Sequence, residues 1–259
     1  MPHPVAHPAV AIPFARAGMV LSALVIGSIA PDFGYFLPLP GFFMYTLPGL
    51  FLFNLPMGLL LLWLFHTFAK WPLISLLPAS LQSRLIPYAQ GFSFGPPRRF
   101  LMILLSLLAG SVTHVVWDSF THSYGRIVER FPGFFHTSIA GIPLYDIFQD
   151  GGTILGLGFI VYWLARWLPT APQGDQLSPR FSGRVQMLFL ALTFFSLALV
   201  EGRILYLRMI TGSRFIGGHF LLNSIRFSAV LTISFFIGIY CLAWMIKFYG
   251  TVRPTRVSG

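Results

Sequence analysis

Apolar stretches at roughly 19–31, 47–68, 100–120, 151–168, 185–210 and 220–248 run through this chain and decide what it can fold into. A helix needs about 20 apolar residues to cross the hydrocarbon core of a bilayer. The second, third, fifth and sixth stretches reach that length, the fourth nearly does, and the first does not. Polar residues are too few to clothe a soluble globule. Of the 259 residues 9% are charged and 56% hydrophobic, whereas a soluble domain carries about 25% charged residues. Lipid must serve as part of the solvent. The expected fold is an all-α polytopic membrane helix bundle with about five spanning helices.

The short first stretch needs a different arrangement. On one straight helix His7 and Asp32 would stand about 37 Å apart. Pro13 and Gly18 interrupt the pattern, and a glycine is where a helix ends and the chain reverses. Residues 5–16 and 20–30 therefore read as two short helices of an N-terminal re-entrant hairpin, which returns Asp32 to the level of His7. Such broken structure persists at membrane depth only when buried in protein or lining a cavity.

Topology follows by alternation. Stretch 47–68 leads away from the His7/Asp32 side and 100–120 returns to it. Residues 69–99 hold Pro72, Pro78, Pro87, Pro96 and Pro97 with four basic residues, and read as a loop with a short interfacial helix on the opposite side. Residues 169–184 form a polar linker on that same side. We read 1–259 as a single membrane domain, with a metal-site core over 1–165 and two accessory C-terminal transmembrane helices over 185–250.

No basic region precedes the first apolar stretch, so insertion is expected through the chain's own helices rather than a cleaved signal. More of the basic residues fall opposite the His7/Asp32 side. By the positive-inside bias this places the site on the outer face of a bacterial cytoplasmic membrane. The net charge of +10 comes mainly from residues at the ends of apolar stretches, which argues against a nucleic-acid partner. Cys241 is the sole cysteine and forms no intramolecular disulfide.

The strongest local signal is GSVTHVVWDSFTHSYG at 110–125. His114, Asp118 and His122 follow at i, i+4 and i+8, which stacks them on one helix face with a drift of about 40° per step. A histidine and a carboxylate so spaced can share one metal ion. A hydrogen-bonded pair clamping two helices is the alternative. The chain has only seven acidic residues and seven histidines. The hairpin brings His7 and Asp32 to this level, and Asp118, Asp146, Asp150 and His136 fall on the same side. Ionisable groups at membrane depth are functional candidates by default.

The runs AHPAVAIPF, LSALVIGSIAPDFGYF, GSVTHVVWDSFTH and PLYDIFQDGGTILG resemble an uncharacterised bacterial membrane family, a domain of unknown function. The resemblance covers roughly residues 1–165. More distantly, the order His…Pro-Asp…His-x-x-x-Asp…His resembles the membrane-bound metal-dependent hydrolases and the zinc-dependent phospholipase C group. The resemblance implies metal-ligand roles for His7, Asp32, His114 and Asp118, with His122 as a fifth. The soluble enzymes carry a second His-x-x-x-Asp/Glu pair that this chain lacks, so one or two ions are expected rather than three.

His66 ends the second apolar stretch and reads as a satisfied interfacial histidine. His136 lies in a Phe-rich loop able to cover the site, and Gln149 beside Asp150 could hold substrate or a water. Glu201, Arg203, Arg208, Arg214 and Arg226 either snorkel to the interface or form an anion-binding rim. His3 and His219 carry no pattern.

The expected function is a membrane-embedded metal-dependent hydrolase acting on a phosphoester or phospholipid-like substrate at the membrane surface. Zinc suits the His/Asp set, with manganese or iron as alternatives. Asp118 and Asp32 divide the roles of ligand and base, His122 and Gln149 assist, and His136, Asp150, Arg203 and Arg226 are weaker substrate contacts. A metal-ion or proton-coupled transporter, or a non-catalytic membrane protein with a structural metal or hydrogen-bond cluster, are the other readings.

Overall fold

Proline and glycine punctuate the N-terminal region in the computed structural model, which describes residues 6–36, 43–174, 183, 187–188, 191, 195 and 237–246. Helix α1, Pro8–Ala11, opens on a proline, whose fixed φ and missing N–H suit a first turn. It tightens into a 3-10 turn over Ile12–Ala17 and stops at Gly18, whose φ of 79° is left-handed. The Gly18 N–H closes this end on the Ala15 carbonyl at 3.2 Å. Val20 is extended, and helix α2, Leu21–Ile29, sets off from it. The tighter turn Ala30–Phe36 carries Asp32.

Helix α3, Leu47–Leu76, is 30 residues long and predominantly apolar. Thr46 caps it, its hydroxyl accepting the Gly49 N–H at 3.1 Å. Two wide π turns, Leu50–Asn54 and Phe65–Ala69, precede Pro56 and Pro72. A proline lacks the N–H for the carbonyl four residues back and crowds that carbonyl with its ring. Widening the preceding turn absorbs both faults, so the helix continues where a break was expected. Residues 69–99, expected to be a loop with a short helix, hold the short helix α4, Ala79–Gln90, but their first part is corrected: α3 extends to Leu76.

Helix α5, Pro97–Thr121, is 25 residues long and apolar over most of its length. Short helices α6, Arg126–Arg130, and α7, Pro132–Phe135, follow it. A small hairpin comes next, β1 Ser138–Ile139 pairing antiparallel with β2 Ile142–Pro143. Ala140 and Gly141 both take positive φ, 52° and 81°, as its two-residue turn requires. Helix α8, Leu144–Trp167, starts earlier than expected from the apolar stretch, and α9 covers Ile237–Ile246.

Among the described residues three helices are long and apolar enough to cross a membrane: Leu47–Leu76, Pro97–Thr121 and Leu144–Thr170. The other two expected spans rest on 185–210 and 220–248, most of which lie outside the described residues. The chain divides into two compact units, residues 1–66 with 91–171 and residues 67–90 with 172–259.

The first unit is built on α2 lying against α5. Gly27 and Gly110 make the approach possible: a Cβ at Gly27 would overlap the Leu107 carbonyl, and one at Gly110 the Leu24 carbonyl. Small residues let helices approach closely where lipid supplies no hydrophobic drive. Around this seam pack Ala23, Ile26, Leu62, Ile103 and Leu107. In the second unit, Lys70 donates to the Ala89 carbonyl at 2.8 Å, and Gln82 to the Ser75 and Leu77 carbonyls at 3.1 and 2.8 Å.

Candidate metal centre

Pro31 shapes the site by what it lacks. With no N–H, it cannot serve the Gly27 carbonyl four residues earlier, so α2 ends with carbonyls to spare. Helix α5 answers them. The Ser111 hydroxyl donates to the Gly27 carbonyl at 3.0 Å, and His114 Nδ1 donates to the Ser28 carbonyl at 2.8 Å. Higher on the same seam, the Val20 N–H donates to Ser106 Oγ at 2.9 Å. Thus Ser106, Gly110 and His114, each four residues apart, tie α5 to α2, and Asp118 follows one turn further on.

With the Nδ1 proton held by a backbone carbonyl, the neutral His114 ring would present Nε2 as its lone-pair nitrogen, the arrangement that orients a metal-ligating histidine. Nε2 is 3.1 Å from Asp118 Oδ2 and 3.7 Å from Asp32 Oδ1. His7 stacks its ring on His114, centroids 3.9 Å apart, and its Nε2 is 3.6 Å from Asp118 Oδ1. One ligating atom from each of His7, His114 and Asp118 lies within 4.8 Å of the others, and all three residues are buried. Bonds of about 2.0–2.2 Å to a common ion keep ligand atoms within about 4.4 Å of one another, and the 3.6 Å from His7 Nε2 to Asp118 Oδ1 lies inside that limit.

Asp118 Oδ1 is buried with no hydrogen-bond partner, and His114 Nε2 is buried with Asp118 Oδ2 beside it at 3.1 Å. Burying a polar group without a partner costs about 1–3 kcal/mol. Two imidazoles and a carboxylate gathered and buried in this way could hold a metal ion.

Tyr45 completes the surroundings of Asp118. Its hydroxyl donates to Asp118 Oδ2 at 3.0 Å, which fixes the carboxylate and leaves Oδ1 toward His7. Tyr45 belongs to the turn Phe43–Tyr45 just before α3. Sequence reasoning missed it, because no spacing links a tyrosine before one helix to an aspartate near the end of another.

His122 caps the end of α5 in extended conformation. Its Nδ1 lies 3.2 Å from the Asp118 carbonyl and 3.7 Å from Asp118 Oδ1, and its Nε2 is buried with no hydrogen-bond partner. It stands beside the three-residue group rather than in it. Burial pushes the His7 pKa down, and burial lowers that of His122. Both are therefore neutral near pH 7, the form in which imidazole binds metal.

The remaining candidates scatter. Gln149 is buried on α8, one turn before Gly152, which packs on Trp117. Asp150 and His136 are exposed, and His136 meets the edge of the Tyr145 ring with centroids 5.3 Å apart. His66 stacks on Phe92, ring centroids 3.3 Å apart, and its Nε2 pairs with Ser22 Oγ at 3.1 Å. Arg203, Arg226, Glu201, Arg208, Arg214, His3 and His219 lie outside the described residues.

A family model described as Domain of unknown function (DUF4184) matches residues 1–246. The chain belongs to this family. The match spans both compact units of the DUF4184 chain, so the family extends beyond the 1–165 region whose motifs carry the resemblance. No curated protein and no solved structure matches it.

Proposed function

We propose that this DUF4184 protein is a membrane-embedded metal-dependent hydrolase that acts on a phosphoester of a phospholipid-like molecule at the membrane surface. The observation that carries this reading is the convergence of His7, His114 and Asp118 on one buried point, with His114 oriented by the Ser28 carbonyl. Two imidazoles and a carboxylate suit zinc, and also manganese or iron. An ion held there would polarise a phosphoryl or acyl oxygen and acidify a water.

The chain's own groups have separable roles. His7, His114 and Asp118 hold the ion, and Tyr45 fixes Asp118 by hydrogen bonding to Oδ2. Asp32 points an oxygen to within 3.7 Å of His114 Nε2 and serves either as a further ligand or as the base that takes the proton from water. His122, neutral and buried with Nε2 unpartnered, is the second group able to move a proton there. The apolar helices around the cluster exclude water and strengthen each of these interactions.

The test is metal content and phosphodiester turnover of the purified full chain, wild type beside Asp118→Ala. The reading expects about one ion per chain in the wild type, with both metal and turnover lost in a variant that still elutes as a folded peak. A wild type that takes up no zinc, manganese or iron overturns it.

A further inference from the structure

An apolar groove of about 220 Å³ lies beside the metal centre, on the side where α8 faces α1. Its lining includes Ala6, Ala9, Trp117 and the glycines Gly152 and Gly156. At Gly156 the absent side chain makes room for α1, a Cβ there meeting the Ala6 carbonyl at 3.1 Å. Val10, Leu155 and Phe159 form its rim, 39%, 75% and 37% exposed. One member of the lining is polar. His7 closes one end of the groove, and its Nε2 faces Asp118 in the cluster.

The depth of the groove indicates its occupant. Along α8 no charged residue intervenes between Asp150 and Arg166. The groove begins directly past Asp150 and follows Gly152 to Phe159, about 10 Å of helix rise. It therefore starts at the polar level of the cluster and runs into the hydrocarbon-facing part of a helix long enough to span a membrane. At that depth the medium is lipid, and half-exposed apolar walls are covered by acyl chain.

We infer that the groove between α1 and α8 seats the first methylenes of one acyl chain of a bilayer phospholipid, with the phosphoester end directed past His7 toward Asp118. This rests on the hydrolase reading for the fate of the headgroup, but not for the seating of the chain. It also gives substrate a sideways route from the bilayer, with no need to leave lipid.

The experiment uses the full-length protein in nanodiscs containing a phosphatidylglycerol with a photoreactive diazirine near the carbonyl end of one acyl chain. Cross-linked peptides are mapped by mass spectrometry, and zinc content is measured on the same samples. We expect labelling concentrated on residues 6–10 and 152–159. In the double variant Val10→Trp/Leu155→Trp it falls about tenfold, as loss of about two buried methylenes requires. Ile154→Trp, 71% exposed on the same helix but outside the groove, retains wild-type labelling and shows that a bulky residue on α8 is tolerated.

Label spread evenly over the lipid-facing helices overturns the inference. So does a groove left unlabelled, as it would be if a second copy or another segment of this chain covered it. Concentrated label in a protein that binds no zinc supports the acyl seat while removing the hydrolase reading, so the two fail separately.

Discussion

His114 Nδ1 lies 2.8 Å from the carbonyl oxygen of Ser28, and this one bond between α5 and α2 determines which nitrogen faces the carboxylates. It follows that the two ends of the imidazole are separable by mutation. Asparagine can keep a donor near the position of Nδ1 but offers nothing at Nε2. His114→Asn should lose bound metal as fully as His114→Ala while melting closer to the wild type. The alanine variant strands the buried Ser28 carbonyl, at a cost of about 1–3 kcal/mol. Metal analysis with thermal unfolding in detergent checks this. Equal destabilisation of the two variants would remove the orienting role from the Ser28 bond.

Tyr45 donates to Asp118 Oδ2 at 3.0 Å, and its ring lies 6.2 Å from that of His114, centroid to centroid. Tyr45→Phe keeps the ring and deletes the donor, so zinc affinity should fall about 10–100-fold, the usual cost of losing an outer partner of a ligand. Stability should change by only about 1 kcal/mol. Competition against a zinc-binding dye measures the affinity directly. An unchanged affinity would reduce the phenol to a packing group.

His66 provides the contrasting case. Its described partners include Ser22, Phe65 and Phe92, which are not members of the cluster. His66→Ala should leave metal stoichiometry at the wild-type value and lower stability by the loss of a stacked ring and one hydrogen bond. Metal analysis of this variant would contradict the assignment if the ion were lost from protein that remains folded.

Much of the site was legible because its spacing is local. The four-residue steps from Ser106 to Asp118 lie on one helix, and Gly18 marks a reversal that only a left-handed residue allows. Tyr45 was not legible, since its contact with Asp118 spans two elements that meet only in the folded bundle. Helix α3 was read as ending before Pro72 because proline breaks an ideal helix. A π turn over Phe65–Ala69 repairs that break, and nothing in composition announces it. Asp150 and Gln149 are neighbours in sequence, yet a helix directs adjacent side chains about 100° apart. Gln149 is consequently buried and Asp150 exposed.

The seam between α2 and α5 makes a last prediction, because it couples the fold to the site. A methyl group at Gly110 would strike the backbone of α2, overlapping the Leu24 carbonyl and standing 2.7 Å from the Ser28 nitrogen. Backbone cannot rotate away, so the helices must separate. A methyl at Gly58 meets instead the tip of the Leu107 side chain at 2.9 Å, which can turn. Gly110→Ala should therefore cost about 1–3 kcal/mol, the range for overpacking, and Gly58→Ala less. The separation also stretches the Ser111–Gly27 and His114–Ser28 bonds that flank the site. Gly110→Ala should thus lower zinc affinity as well as melting temperature, whereas Gly58→Ala lowers neither by much. A Gly110→Ala protein with wild-type melting and wild-type zinc affinity would mean that the close approach of α2 to α5 is not what holds His114 in place.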